Sequence, residues 1–147
     1  MTLVVSDISN MGIIMVGDSA VTCKKATGES FVEAGAVKVQ YSETANVGFA
    51  MWGNADVGGQ RLDSWMASFI RTITPLENID DIGLRLATNI NEVISKSGNS
   101  WKDLIRGIHL AGYKKGVPCL YHVHCGHPNE APHELRLHKD FPDDQSL

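Results

Sequence analysis

The chain opens Thr2-Leu3-Val4-Val5-Ser6-Asp7-Ile8-Ser9-Asn10-Met11-Gly12-Ile13-Ile14-Met15-Val16-Gly17-Asp18-Ser19. Leu3-Val4-Val5 and Gly12-Ile13-Ile14-Met15-Val16 are rich in β-branched side chains, which fit a pleated surface better than a helix. Ser9-Asn10-Met11-Gly12 supplies turn residues between them. The two runs therefore predict an antiparallel hairpin that ends at Gly17-Asp18-Ser19.

Outward from this hairpin, a polar stretch from Thr22 to Gly35 leads to Ala36-Val37-Lys38-Val39-Gln40-Tyr41 and Asn46-Val47-Gly48-Phe49-Ala50-Met51-Trp52. These predict a second hairpin, turning near Ser42-Glu43-Thr44. From Ala55 to about Thr72 the residues Leu62, Trp65, Met66, Phe69 and Ile70 recur at helical spacing. Pro75 interrupts, and Asn78 to Asp80 offer caps for a second helix with the stripe Ile82, Leu86, Ile90, Val93 and Ile94, stopped by Ser97-Gly98-Asn99-Ser100. Ile108 to Tyr113 and Pro118 to Val123 flank Lys114-Lys115-Gly116 and predict a third hairpin. Residues 126–147, with Pro128, Pro132 and Pro142, read as an irregular polar tail. Strands first and helices afterwards predict an α+β layered domain with helices over one sheet face.

With 147 residues the chain suits a single domain, 1–147. Its apolar fraction of 43% is that of a globular protein, and no apolar run approaches the roughly 18 residues of a membrane span. A net charge of −4 and no basic run longer than a Lys pair argue against a nucleic-acid partner. Three cysteines, Cys23, Cys119 and Cys125, cannot all pair with one another, and the N-terminus lacks a signal-peptide pattern, so free thiols in a cytoplasmic setting are expected.

Thr2 follows Met1 directly, and a residue as small as Thr is compatible with removal of Met1. An N-terminal Thr carries a hydroxyl nucleophile and, in its own α-amine, a base of unperturbed pKa roughly 7.7–8.0. Such chemistry needs a cation to keep the amine partly neutral, an anion to hold that cation, and a backbone amide to receive an oxyanion. Asp18 ends the second strand, where its side chain can reach the start of the first. Lys38 lies among Val37, Val39 and Tyr41, with its charged head directed either inward or to water.

Thr2-Leu3-Val4-Val5-Ser6, followed by Gly12-Ile13-Ile14-Met15-Val16-Gly17-Asp18-Ser19-Ala20-Val21-Thr22, resembles the opening of proteasome β subunits, which are N-terminal-nucleophile (Ntn) hydrolases. It is most similar to the peptidase ring of the bacterial ATP-dependent two-component protease. The resemblance implies Thr2 as nucleophile, Asp18 as the carboxylate and Lys38 as the cation, with Ser19 and Thr22 as neighbours of the site. Val47-Gly48-Phe49-Ala50-Met51-Trp52-Gly53-Asn54-Ala55-Asp56 resembles the family's strand, Gly turn and Ala-Asp opening of the first long helix. It implies Gly53 as the oxyanion-hole amide, with Met51 and Trp52 as other donors.

The resemblance spans about residues 2–125 and is closest over 2–22. It implies a four-layer αββα sandwich, assembly into homo-oligomeric rings, a peptide or other amide substrate, no cofactor, and an unfoldase partner. The family's Gly-Ser-Gly turn and second helical layer have no counterpart here, so one layer is expected to be incomplete. The chain is then either a fragment of a longer protein or a reduced variant.

Two other function classes fit parts of the sequence. One is a proteasome-like structural subunit that builds rings without cutting. The other is a metal-binding module on Cys119, His122, His124, Cys125 and His127, although that spacing matches no standard zinc pattern and strand histidines usually bond to neighbours.

Overall fold

The computed structural model describes residues 3–9, 11–25, 27–98, 106–126 and 133–139, Lys24 through its backbone alone. The opening runs form the expected hairpin, β1 (Val4–Ser9) and β2 (Gly12–Gly17), with Val5 opposite Val16 and Asp7 opposite Ile14. The polar stretch that follows is also a hairpin, β3 (Val21–Lys24) with β4 (Ser30–Glu33). Next come β5 (Val39–Ser42) and β6 (Val47–Gly53), paired as expected.

The first helix, α1 (Leu62–Ile70), starts later than its periodicity suggests. Asp56-Val57-Gly58-Gly59-Gln60-Arg61 instead forms a two-residue hairpin, β7 (Asp56–Val57) and β8 (Gln60–Arg61). Gly58 and Gly59 take positive φ (59° and 83°), conformations that favour a tight turn over a helix. Asp56 therefore precedes the helix and does not open it.

The second helix, α2 (Ile79–Ser97), follows its signals at both ends. The Asn78 side chain accepts from the Asp81 amide (3.1 Å), and Gly98 closes the helix at φ 70°. The third hairpin is β9 (Arg106–Lys114) with β10 (Val117–His124), turning at Lys115-Gly116. The stretch expected to be irregular contains one more strand, β11 (Arg136–Lys139), paired to β10. His122 and His124 there face His138 and Arg136 across the ladder.

The result is a mixed α/β chain with two helices and antiparallel sheets among the described residues. Its largest sheet has the order β11-β10-β9-β6-β5. Val47, Phe49 and Met51 of β6, Ile108 and Leu110 of β9, and Tyr121 and Val123 of β10 turn one face toward Ile79, Ile82, Leu86, Ile90 and Ile94 of α2. Among the described residues, no helix is long and apolar enough to cross a membrane.

The opposite face is built from small residues and histidines, and it receives the β1–β2 hairpin. A Cβ at Gly48 would meet the Met15 sulfur at 2.5 Å, and one at Gly107 would meet the Trp52 indole at 2.4 Å. Each glycine thus leaves the space a large neighbour fills. Ser6 Oγ and His109 Nδ1, 2.9 Å apart, tie the hairpin to the sheet.

Edge strand β11 is secured on the helical side. Asn91 exchanges two hydrogen bonds with the Leu135 backbone (3.0 and 2.9 Å), and Asp80 pairs with both Lys139 (2.7 Å) and Lys114 (3.0 Å).

The α2 face gives a direct check on this packing. Leu86 is fully buried, whereas Leu84, two residues earlier, is exposed. Leu86→Ala is expected to lower unfolding stability by about 2–5 kcal/mol in urea titrations, and Leu84→Ala by no more than about 0.5 kcal/mol.

Candidate functional site

The turn after β2 places the Asp18 carboxylate against the start of β1. Its Oδ2 accepts from the Leu3 amide (2.8 Å), its Oδ1 accepts from the Ala20 amide (3.2 Å), and the Asp18 amide donates to the Leu3 carbonyl (3.1 Å). Lys38, just ahead of β5, reaches into the same corner. Its ammonium donates to Asp18 Oδ1 and to the Ala20 carbonyl. The Lys38 head thus points inward, and its side chain retains 10% of its exposure.

The Lys38 ammonium beside Asp18, followed by the Leu3 amide, holds the Asp18 carboxyl below the usual carboxylate range. The Asp18 carboxylate is therefore ionised at neutral pH. Three chain segments, the start of β1, the turn after β2 and the lead-in to β5, meet at this one carboxylate.

Gly53 ends β6 at φ 87°, opposite Arg106. The Met51 amide donates to the Lys38 carbonyl (2.8 Å), so it is already engaged. Successive amides of a strand alternate between its two edges, which puts the Gly53 N–H on the same edge as that of Met51 and the Trp52 N–H on the other. Of the three donors open from sequence, Gly53 shares the Met51 edge and stands at the end of the strand.

Lys38 and Gly53 line one cavity of about 570 Å³. Thr22 lines it too, from β3, whereas Ser19 does not; the Ser19 side chain is exposed and its carbonyl accepts from the Ala36 amide (3.1 Å). Thr2 lies outside the described residues, as does His127.

Several lining residues have no signal in the sequence motifs. Asp63 accepts from the Val37 amide (3.2 Å) and from Arg61 (2.7 Å), and Arg61 also faces Glu33 at 3.7 Å. The Arg61 guanidinium holds the Asp63 carboxyl low. Cys23 lies on the same wall, where partial desolvation and then the Glu33 carboxylate push its thiol up from its ordinary value. It remains a thiol at neutral pH and is a poor rival nucleophile. The alternating Val21-Thr22-Cys23 and Ser30-Phe31-Val32 around Thr27-Gly28 were the available sign of this wall.

No protein-family model, curated protein or solved structure matches the chain. The functional reading therefore rests on the geometry of this corner.

The proposed metal module is rearranged by the fold. Cys119 and Cys125 turn into the apolar core, where their thiols contact the carbonyls of Gly112 and Arg106 (3.5 Å each). His122 and His124 lie on the other face, so the five-residue set does not converge among the described residues.

The lowered Asp18 pKa sets a pH dependence. A carboxyl held low in the folded state adds stability above its unfolded value of roughly 3.9 and loses it as pH falls through the lower folded value. Asp18→Asn should therefore be less stable than the wild type at pH 7. Urea titrations should show that difference shrinking below about pH 3.9; a difference constant down to pH 2 would contradict the assignment.

Proposed function

We propose that the chain is a proteasome-like Ntn hydrolase that cleaves amide bonds with Thr2 after Met1 is removed. The observation that carries this reading is the Asp18–Lys38 ion pair bonded to the backbone of Leu3, the residue next to Thr2 in sequence. A part-buried ammonium beside the start of β1 is what an N-terminal nucleophile needs, because it disfavours a second positive charge on the α-amine.

In this mechanism the Thr2 hydroxyl oxygen attacks the substrate carbonyl carbon, and its proton passes to the Thr2 amine. The Gly53 N–H faces the oxyanion that forms. The amine then returns the proton to the leaving nitrogen as the C–N bond breaks, leaving an acyl ester on Thr2. Water, deprotonated by the same amine, hydrolyses that ester and restores the hydroxyl. The step needs no cofactor. The cavity lined by Lys38, Gly53 and Thr22 is large enough for a substrate side chain.

The same reading extends to a four-layer fold and to cytoplasmic homo-oligomeric rings fed by an unfoldase. The outer face of the β1–β2 hairpin supports it: Val5, Ile14 and Val16 are each at least half exposed there, an apolar strip that a further layer would cover.

Intact mass spectrometry and a fluorogenic peptide-amide assay test the proposal together. The purified chain should lack Met1, Thr2→Ala should reduce hydrolysis to background, and Lys38→Ala should lower kcat on the order of 10²-fold or more. Retention of Met1, or turnover unchanged in Thr2→Ala, would refute the enzyme reading and favour a ring-building subunit that cuts nothing.

A further inference from the structure

The face of the large sheet turned away from α2 carries a run of imidazoles. His109 and His122 have ring centroids 4.5 Å apart, His122 and His124 4.7 Å, and His124 and His138 4.1 Å. His133, just ahead of β11, completes the far end, 6.0 Å from His124 and 6.4 Å from His138. Here three ring nitrogens, one each from His124, His133 and His138, lie within 4.8 Å of one another.

We propose that His124, His133 and His138 form a binding site for a divalent transition cation, Zn²⁺ by its ligand chemistry, which clips edge strand β11 to β10. Neutral imidazoles are favoured ligands for Zn²⁺, and three of them leave a fourth tetrahedral position for water. Ligand nitrogens at roughly 2.0–2.1 Å from a tetrahedral Zn²⁺ sit closer together than 4.8 Å, so the rings close inward by side-chain rotation on binding.

The hydrogen bonds around the rings bear on which nitrogens are available. His133 Nδ1 lies 2.6 Å from the Glu134 carbonyl, which can only accept, so Nδ1 carries the proton and Nε2 has its lone pair. A carbonyl on the distal nitrogen is also the partner that metal-ligating histidines commonly have. His138 Nε2 is buried and has no hydrogen-bond partner among the described residues, an arrangement whose desolvation cost a cation would offset.

His124 is almost fully buried, and its Nδ1 accepts from the Gly126 amide (3.1 Å). That bond is lost on binding, whether the cation takes the Nδ1 lone pair or a proton moves there to free Nε2. Arg136, across the ladder from His124, is exposed, so water screens its charge from the site.

The site is distinct from the Lys38 corner, and its test does not depend on peptidase activity. The full chain, stripped with chelator and reloaded with zinc chloride, should retain about one Zn²⁺ per chain by elemental analysis. It should gain about 5–10 °C in Tm at a hundredfold excess over Kd. The Gly126 amide resonance should shift on loading. His133→Gln, at a half-buried position, should weaken Zn²⁺ binding at least tenfold while leaving the zinc-free Tm unchanged, and His138→Gln should do the same. No Tm gain in the wild type, undiminished binding in His133→Gln, or an unmoved Gly126 resonance would each overturn the proposal.

Discussion

One carboxylate, that of Asp18, ties three separate parts of the chain to one point. It accepts from the Leu3 and Ala20 amides and from the Lys38 ammonium, so it fixes the start of β1, the turn after β2 and the lead-in to β5 relative to one another. A Lys head with little solvent is stable only while its charge is met. Lys38 in turn gives its carbonyl to the Met51 amide, which carries the same constraint into β6. The ion pair is thus linked through the Lys38 carbonyl to β6, two residues before Gly53.

What the sequence discloses depends on how local the physics is. The second helix is legible at both ends because Asn78 and Gly98 act on their own backbone, and its stripe from Ile82 to Ile94 has one period and one destination. Asp18 was legible because a residue ending one strand of a tight hairpin must lie beside the start of the other. The direction of Lys38 was not, since strand geometry allows either face and only its partners select one. Helix α1 starts later than its apolar spacing predicts because that spacing says nothing about Gly58 and Gly59, whose positive φ forms a turn first. Strand β11 is not legible in the sequence because four residues hold too little periodicity, and its anchors, Asn91, Asp80 and the Gly83 surface under Leu137, are distant in sequence.

The large sheet separates two kinds of chemistry by strand alternation. Odd residues of β6 and β10 and even residues of β9 carry the apolar core, while their neighbours carry Gly48, Ala50, Trp52, His109 and His122. A one-residue slip in β9 would exchange the two sets, burying His109 under α2 and turning Ile108 and Leu110 toward the β1–β2 hairpin. Register is consequently enforced by burial, and the position of every histidine on the second face is a by-product of the core on the first. The Trp52 indole, lying over Gly107 and donating to His122 Nε2 at 3.0 Å, locks that register from the polar side.

The corner and its cavity differ in how firmly they are held. Asp18, Lys38 and Met51 are linked by hydrogen bonds to elements that pack on the main sheet. The opposite wall is the β3–β4 hairpin, where β4 is exposed along its whole length and Phe31 and Val32 face solvent. That hairpin is held mainly at its edges, by the Ala36 amide on the Ser19 carbonyl and by Glu33 facing Arg61. With so little apolar burial, its opening costs less than disruption of the sheet. The Asp18–Lys38 ion pair can thus stay fixed while the opposite wall of the cavity moves, so changes at Glu33 or Arg61 would reshape the cavity without displacing that pair.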